Sequence, residues 1–303
     1  MPAPDFRTVA PADLSPADFY QYLIGAVAPR PIAFVSSVSA SGAVNLSPFS
    51  FFTIVSMNPP MLVFAPTTRA RDNSHKDTLL NVREVPEVVI NLCDYALVEQ
   101  LSLASAEYPA GTNEFTKAGL TEAASQHVRP PRVAECPAAF ECAVEQIIEL
   151  GDLPGHGNLV LCRVLRGHFR ADVLPADGRP GLDPLRYEAV SRLGGDWYSR
   201  LRPDNLFEVG RPNRRLGIGF DALPAHIRES QVLTGNHLAK LANVEQEALP
   251  TPAQVEEIKA EPMVAYLLNK YPGEHRTHLH ELARTWLDEG RVAEAWRLLL
   301  VQE

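Results

Sequence analysis

The sequence predicts a mainly β protein with some α-helix, in which antiparallel strands form a closed or nearly closed barrel followed by C-terminal helices. About six short runs rich in β-branched and aromatic residues recur between residues 30 and 174, with only short helical segments between them. This spacing favours an antiparallel barrel over a parallel, doubly wound sheet. From about residue 220 the strand-like runs give way to helical spacing, so we predict a barrel domain over 1–219 and a helical extension over 220–303.

The first barrel element is a predicted hairpin. Residues 32–38 form an apolar run, residues 39–42 supply turn residues, and a second apolar run covers 46–55. Pro48 interrupts the second run, and proline cannot donate a hydrogen bond within a central strand. The hydroxyls and free backbone N–H groups at the far end predict a cradle for an anion or a heterocycle. The small polar residues that crowd there are Ser36, Ser37, Asn45, Ser47 and Ser50.

The other elements follow from the same local signals. Ser15 and Pro16 predict the N-cap and first turn of a helix. The run Asn58-Pro59-Pro60 predicts a turn before a third strand over 61–65. The remaining predicted segments are a strand over 85–93, a helix over 97–106, a loop over 107–135, strands over 139–150 and 158–174, and helices over 238–244, 252–271, 278–289 and 292–301.

A basic cluster lies between Pro66 and Thr78 in an otherwise acidic chain. Its cations are Arg69, Arg71, His75 and Lys76. A helix predicted to begin near His75 places them on the loop that enters the helix N-terminus, where unpaired N–H groups and the helix dipole favour an anion. The cluster therefore predicts a phosphate site, and a solvated loop with surface cations is the alternative.

Composition excludes several classes of protein. A formal net charge of −9 argues against binding to nucleic acid, which requires clustered Lys and Arg. No run approaches the roughly 20 apolar residues of a membrane span, and the N-terminus lacks a signal pattern, so we expect a cytoplasmic protein without a membrane partner. The four cysteines lack metal-type spacing and are expected to be reduced thiols.

Familiar hydrolytic and metal-binding motifs are missing from the sequence. The chain has no G-x-S-x-G elbow, no H-E-x-x-H and no paired carboxylates in a recognisable loop. His278 and His280 are two residues apart on a predicted helix and point to different faces, so we expect no metal site with His275. A helical-hairpin pattern over 282–299 occurs once, which predicts an extension and not a solenoid.

The first two-thirds of the chain resembles the flavin reductase-like family of FMN-binding split barrels. Four segments carry the resemblance in the family's order, over roughly residues 15–210: PRPIAFVSSVSASGAVNLSPFSFF, the proline turn before MLVFAP, KDTLLN leading into VVINL, and AVSRLGGDWY. The resemblance implies a six-stranded antiparallel split barrel. It also implies a homodimer that binds FMN non-covalently near the dimer interface, and it does not extend to the helices after residue 220.

The resemblance implies that the first hairpin lies against the flavin. The backbones of Ser36, Ser37 and Val38 would follow the ring system, with Asn45 and Ser47 near its polar edge. The alternatives are that the two serines are edge-strand hydroxyls and that Asn45 stabilises its own turn.

The resemblance implies further that the phosphate lies at the basic cluster. Ser50 would approach the ribityl-phosphate end, and Lys76 and Thr78 would bind the phosphate. The residues that would help to bind the phosphate are Arg69, Arg71 and Ser74. The alternative for Arg71 is that it forms an ion pair on the protein surface.

Two more segments have family counterparts near the flavin. Trp197 and Tyr198 belong to a segment that often comes from the partner subunit, and the alternative is a glycine-dependent turn with an aromatic packing plug. A histidine near the position of His156 often lies beside the flavin. Here Pro-Gly-His-Gly departs from the family pattern, and a solvent-facing loop histidine is the favoured interpretation.

The leading functional hypothesis is an oxidoreductase in which NAD(P)H reduces bound FMN, and the flavin then leaves or passes electrons onward. Such chemistry belongs to the cofactor and needs no strong acid–base pair in the protein. No G-x-G-x-x-G follows a strand, so the sequence does not choose between NADH and NADPH. The alternatives are an FMN-binding sensor or store whose C-terminal helices dock a protein partner, and an FMN enzyme with a specific organic substrate.

Overall fold

The computed structural model describes residues 5–210, 212 and 216–301, which fall into two units, Met1–Leu206 and Phe207–Glu303. The unit boundary precedes the position 219/220 at which the composition changes. The physical reason is that the extended residues before Phe220 bond within the second unit. The N–H groups of Ile218 and Gly219 donate to the carbonyls of Val244 and Ala242, at 2.9 and 3.1 Å.

The first unit is built mainly from strands. Its α-helices are α1 (Pro16–Ala26), α2 (Asp77–Glu84), α3 (Val98–Leu103) and α4 (Glu114–Ala118), and its 3-10 helices are Pro11–Asp13, Tyr95–Leu97, Ala171–Val173 and Pro203–Asn205. Its strands are β1 (Arg30–Pro31), β2 (Ala33–Val38), β3 (Val44–Phe49), β4 (Phe52–Ser56), β5 (Met61–Phe64), β6 (Glu87–Leu92), β7 (Glu122–Ala123), β8 (Arg132–Val133), β9 (Ala138–Glu149), β10 (Asn158–Phe169), β11 (Val190–Arg192) and β12 (Tyr198–Arg200).

The main sheet has seven antiparallel strands in the order β3-β2-β6-β9-β10-β5-β4. The expectation of six strands is therefore wrong. The predicted second apolar run of the hairpin breaks at Ser50 and Phe51, so that β3 pairs with β2 at one edge and β4 pairs with β5 at the other. Pro48 lies in the edge strand β3, where its missing N–H is tolerated. Two smaller sheets have the orders β1-β11-β12 and β7-β8.

The predicted first hairpin is confirmed, with the register Ala33↔Phe49 through Val38↔Val44. All six residues of β2 are buried, because both of its faces are covered. Phe34 packs with α3 and α4 on one face, whereas Ala33 and Val35 face the inside of the curled sheet. The core inside the sheet also contains Phe49, Leu62, Phe64, Leu79, Val82, Val88, Ile90, Cys142, Val160 and Cys162.

Most other elements of this unit lie where the sequence predicts them. The Ser15 hydroxyl accepts a hydrogen bond from the N–H of Asp18 at 3.1 Å, and Pro16 opens α1 as expected. The segment over 107–135 is less irregular than predicted, because it contains α4 and the β7–β8 pair. The last long strand ends at Phe169, before a 3-10 helix, and not at residue 174.

A buried carboxylate anchors the segment before β8 to the main sheet. Glu141 of β9 accepts hydrogen bonds from the backbone N–H groups of Gln126 and His127 and from His168 Nε2, at 2.6–2.9 Å. Burial opposes ionisation of Glu141, but these three bonds outweigh it and lower the pKa of the carboxyl group. The same segment supplies the Pro131 carbonyl, which accepts a hydrogen bond from the Ser36 hydroxyl at 2.5 Å.

The second unit is helical and has its own core. Its α-helices are α5 (Ala225–Arg228), α6 (Gly235–Ala242), α7 (Pro252–Ile258), α8 (Pro262–Lys270), α9 (His275–Asp288) and α10 (Val292–Leu299), with a 3-10 helix at Gln246–Ala248. The single helix predicted over 252–271 is wrong, because Pro262 begins a new helix and disfavours helical geometry at the residue before it. The buried Trp296 donates its indole N–H to the Leu241 carbonyl at 3.1 Å.

Two further observations concern the described residues of both units. None of their helices is long and apolar enough to cross a membrane. No group of three or more His, Cys, Asp or Glu side chains among them is arranged to hold a metal ion.

Candidate functional site

Helix α2 is fastened to the far end of the first hairpin by two buried side-chain hydrogen bonds. Ser37 of β2 and Asn45 of β3 are register partners. The amide of Asn81 donates to the Ser37 hydroxyl at 3.0 Å, and the amide of Asn45 donates to the Thr78 hydroxyl at 2.8 Å. All four side chains are buried. Three predicted cofactor residues therefore have side chains that hold the helix in place.

Lys76 occupies the N-cap position of α2. The N–H groups of Asp77 and Thr78 in the first turn have no acceptor within the helix, as at any helix start. The half-buried Lys76 ammonium lies 5.5 Å from the ring centroid of Phe49, and among the described residues it has no hydrogen bond or ion pair. Burial, and then the nearby Arg69 charge, lower the pKa of Lys76. An anion at this position would stabilise the ammonium.

Arg69 shapes the loop before α2. One guanidinium nitrogen, Nη1, donates to the Ser74 hydroxyl at 3.1 Å and to the His75 carbonyl at 2.7 Å. The backbone N–H of Arg69 also donates to the Ser74 carbonyl, which closes the loop. Arg69 Nε is buried and lies 3.5 Å from a carboxylate oxygen of Glu107 without forming a hydrogen bond. The Arg69 guanidinium on this loop therefore keeps one N–H group, at Nε, without a hydrogen-bond acceptor.

Arg71 takes part in an exposed ion-pair network. Its guanidinium lies 3.2 Å from Asp72 Oδ2 and 2.5 Å from Glu107 Oε2. The hydrogen bond from Arg71 lowers the pKa of Glu107. The surface ion-pair alternative therefore describes Arg71 in this structure, and Glu107 partly neutralises the basic cluster.

The loop containing His156 lies against the basic loop. The N–H of Thr68 donates to the His156 carbonyl at 3.0 Å, and the N–H of Gly155 donates to the Thr68 hydroxyl at 2.9 Å. His156 Nδ1 lies 2.9 Å from the Leu153 carbonyl and is the donor there, because a carbonyl only accepts. Its Nε2 is buried without a partner. The expectation of a solvent-facing histidine is therefore wrong: neighbouring loops half-bury the side chain.

These two loops hold a concentration of buried polar atoms without partners. Four of the nine such side-chain atoms found in the described residues belong to them, and a fifth belongs to Asn158, the first residue of β10. Buried polar groups in folded proteins are nearly always hydrogen-bonded, so a cluster of exceptions indicates a site for polar ligand atoms. Arg69 and His75 can donate to a phosphate, and the other groups suit a polyhydroxy chain. The five atoms are Arg69 Nε, Asn73 Oδ1, His75 Nδ1, His156 Nε2 and Asn158 Oδ1.

The remaining hairpin residues differ in their freedom to contact a ligand. The Ser36 hydroxyl is bonded to Pro131, and Val38 is buried in the ladder opposite Val44. The half-buried Ser47 hydroxyl has no hydrogen bond within the part of the chain that the structure describes. Ser50 accepts a long 3.5 Å bond from Arg30 Nε.

The structure does not bring the aromatic pair Trp197 and Tyr198 to the basic loop of the same chain. The two residues lie on the β11–β12 hairpin, whose turn contains Gly195 at a positive φ of 55°. Trp197 is 77% exposed, and Tyr198 lies beneath the Arg192 guanidinium, 4.5 Å from its ring centroid. The Arg30 guanidinium links this hairpin to Ser50, because its Nη2 donates to the Leu193 carbonyl at 3.0 Å.

The family model of the flavin reductase-like domain matches residues 25–189. This match spans more than half of the chain and contains both the first hairpin and the basic loop. The chain therefore belongs to the flavin reductase-like family, whose members are flavin-binding split-barrel proteins. The C-terminal helices lie outside the matched residues.

Individual relatives agree with this assignment. An uncharacterized protein of Halalkalibacterium halodurans is 38% identical over 205 residues, which make up 67% of this chain and 95% of that protein. Nitrilotriacetate monooxygenase component B from Bacillus cereus is 31% identical with a TM-score of 0.63, over 68% of this chain and all of that one. The 2-nitrobenzoate 2-nitroreductase of Pseudomonas fluorescens is 26% identical with a TM-score of 0.60, over 67% of this chain and 96% of that one.

Sequence reasoning missed several residues of this region. Asn81 and Glu107 carry no motif, and their roles depend on contacts with residues more than 30 positions away. Asn73 and Asn158 become site candidates only when the two loops are seen side by side. His75 counts in the sequence only as one charge of the basic cluster.

We expect Asn81→Ala to destabilise the first unit by about 1–3 kcal/mol, because it leaves the buried Ser37 hydroxyl without its donor. The measurement is chemical denaturation, and Leu80→Ala on the exposed side of the same helix is the matched control. A loss no larger than that of the control would show that the Asn81–Ser37 bond does not hold α2.

Proposed function

We propose that this chain binds FMN at the start of α2 and acts as an oxidoreductase that transfers electrons from NAD(P)H to the flavin or onward to an acceptor. The observation that carries the proposal is the half-buried Lys76 ammonium, which forms no hydrogen bond or ion pair within the described residues and lies at a helix N-terminus. Partly satisfied donors of Arg69 and His75 lie on the same loop. A phosphate monoester supplies the charge and acceptors that these groups require.

The preference for FMN over FAD follows from the same chemistry. The terminal phosphate of FMN carries close to two negative charges, which suit an ammonium, a guanidinium and free N–H groups. The sequence contains no second nucleotide-binding fingerprint for an adenylate. This chemistry supports a site matched to a terminal phosphate over one matched to a dinucleotide.

We place the flavin ring along the end of β2. The ladder between β2 and β6 ends at the pair Ser36–Val89, so the backbones of Ser37 and Val38 have no β6 partner in that register. Backbone groups there could bond to a flat heterocycle, with Asn45 and Ser47 at its polar edge. Bound FMN would supply the hydride chemistry. The protein's residues would orient the ring and exclude water.

The direct test mixes the purified protein with FMN and either NADH or NADPH without oxygen. We expect the flavin absorbance near 450 nm (roughly the flavin band, since the cofactor is the chromophore) to fall with one or both nucleotides. FMN binding without reduction would favour a sensor or store instead.

Reduction of an organic substrate on bound FMN is a second candidate, because a 26%-identical relative is a nitroreductase. It would be supported if nucleotide oxidation became fast only when a nitroaromatic compound was added. Rapid reduction of free FMN without such a compound would favour the flavin reductase.

We expect Lys76→Ala to weaken FMN binding by about 1.5–3 kcal/mol, or roughly 10- to 150-fold, because it removes a charged donor to the phosphate. Riboflavin, which lacks the phosphate, should bind both proteins about equally. Flavin fluorescence quenching measures both affinities. Lys117→Ala is the control, because Lys117 is an exposed lysine 5.8 Å from the Tyr108 ring centroid. Equal FMN affinity of wild type and Lys76→Ala would remove Lys76 from the site.

We also propose that the working unit is a homodimer in which the β11–β12 hairpin covers the partner's flavin. Trp197 is 77% exposed, and the edge strand β4 presents Ile54 and Val55 at 73% and 50% exposure. Large exposed apolar side chains of this kind are typical of an interface. An obligate dimer should bury about 2,000 Å² or more in total.

Sedimentation of the FMN-loaded protein tests the dimer. We expect a dimer at micromolar concentration, and we expect Trp197→Ala to weaken FMN binding while the comparably exposed Leu185→Ala does not. A monomer with full FMN occupancy would contradict the shared site, and Trp197 would then be a packing residue.

A further inference from the structure

Two of the four cysteine thiols are in direct contact. Cys93 Sγ lies 3.4 Å from Cys136 Sγ, and both cysteines are free thiols. Their residues are 4% and 9% exposed. Neither thiol has a role in the proposed electron transfer, so their contact calls for a separate explanation.

The position of the two cysteines favours a covalent link. Cys93 directly follows β6, and Cys136 lies two residues before β9. The last register pair of these neighbouring antiparallel strands is Leu92↔Ala138. In the same register Cys93 would face Pro137, so Cys136 lies one position beyond the residue opposite Cys93. The two sulfurs are already 3.4 Å apart, so an S–S bond of about 2.05 Å requires them to move only about 1.4 Å closer.

The other two cysteines provide a contrast within the same sheet. Cys142 of β9 is the register partner of Val164, and Cys162 of β10 is the register partner of Val144. The two residues are thus diagonal neighbours, and no sulfur–sulfur contact joins them. Burial raises the pKa of Cys142 to about 12, which keeps this thiol protonated. Cys142 and Cys162 therefore serve as internal controls, because both are buried thiols whose sulfurs are not in contact with each other.

We propose that Cys93 and Cys136 form a reversible disulfide when the protein meets a hydroperoxide. One thiol attacks the peroxide O–O bond and becomes a sulfenic acid, releasing water when hydrogen peroxide is the oxidant. The second thiol then displaces the sulfenic hydroxyl as water and forms the S–S bond. Two thiols are oxidised by one electron each, and one peroxide is reduced to two waters.

The reaction should be slow and should accelerate with pH. The thiolate is the nucleophile, and burial, followed by the hydrogen bond with Cys136, raises the pKa of Cys93 well above its ordinary value.

The cross-link would act on the segment that leads into the β11–β12 hairpin. Asp94, next to Cys93, forms an isolated bridge with Ala189, and the N–H of Tyr95 donates to the Glu188 carbonyl at 3.0 Å. Val190 at the start of β11 packs in the same apolar cluster as both cysteines. A disulfide here would fix the base of this hairpin to the end of the β6–β9 ladder.

The test exposes the full-length protein to hydrogen peroxide under native conditions, removes the excess with catalase, denatures and alkylates the protein, and measures its intact mass. We expect two of the four thiols to resist alkylation, to be recovered after dithiothreitol, and to map to a linked Cys93–Cys136 peptide. The cross-linked cysteines are 43 positions apart. Closing such a loop should raise the melting temperature of the oxidised protein by about 5 °C or more.

Cys93→Ala and Cys136→Ala should each abolish the intramolecular disulfide, while Cys142→Ala should retain it. The peptide map of the wild type decides the matter without any variant, in case a substitution impairs folding. Four alkylated thiols after prolonged peroxide, a linkage that includes Cys142 or Cys162, or oxidation only to sulfinic acid would each overturn the proposal. None of these outcomes depends on whether the protein binds FMN.

Discussion

The candidate site depends on the docking of α2 against the first hairpin. Two amide–hydroxyl bonds, Asn81 to Ser37 and Asn45 to Thr78, set both the position and the rotation of a helix only eight residues long. Because all four groups are buried, losing one partner leaves the other without a hydrogen bond, which costs more than the bond itself contributes. The helix start and Lys76 are therefore held at the end of β2 and β3.

This arrangement places positive charge on partly buried side chains. Lys76 forms no hydrogen bond or ion pair with the described residues, and Arg69 is only partly paired through Glu107. Charged side chains with partly missing partners cost stability, and in the proposed site a bound anion would supply the missing partner and offset that cost. The exposed Arg71–Glu107 pair contributes little by comparison, because solvent screens it.

Local signals in the sequence were sufficient for the elements but not for the contacts between distant loops. The Ser15 cap, the first hairpin and the start of α2 followed from turn and capping chemistry. The seventh strand was missed because the apolar run through Pro48 looks continuous in one dimension. The roles of Asn81 and Asn158 were missed, because each arises where segments far apart in sequence come together. The sequence around Trp197 also does not show whether this side chain packs within its own subunit or forms a contact with another.

The two residues between β3 and β4 have a geometric consequence. These strands form opposite edges of a seven-stranded sheet, which if flat would be about 29 Å across at the usual strand spacing of roughly 4.8 Å. The three Cα steps from Phe49 to Phe52 reach only about 11 Å. The sheet must therefore curl until its two edge strands, β3 and β4, approach each other. These edges are joined by the covalent chain and not by a ladder of hydrogen bonds. Ser50, expected at the ribityl-phosphate end of the cofactor, is one of the two residues that make this connection.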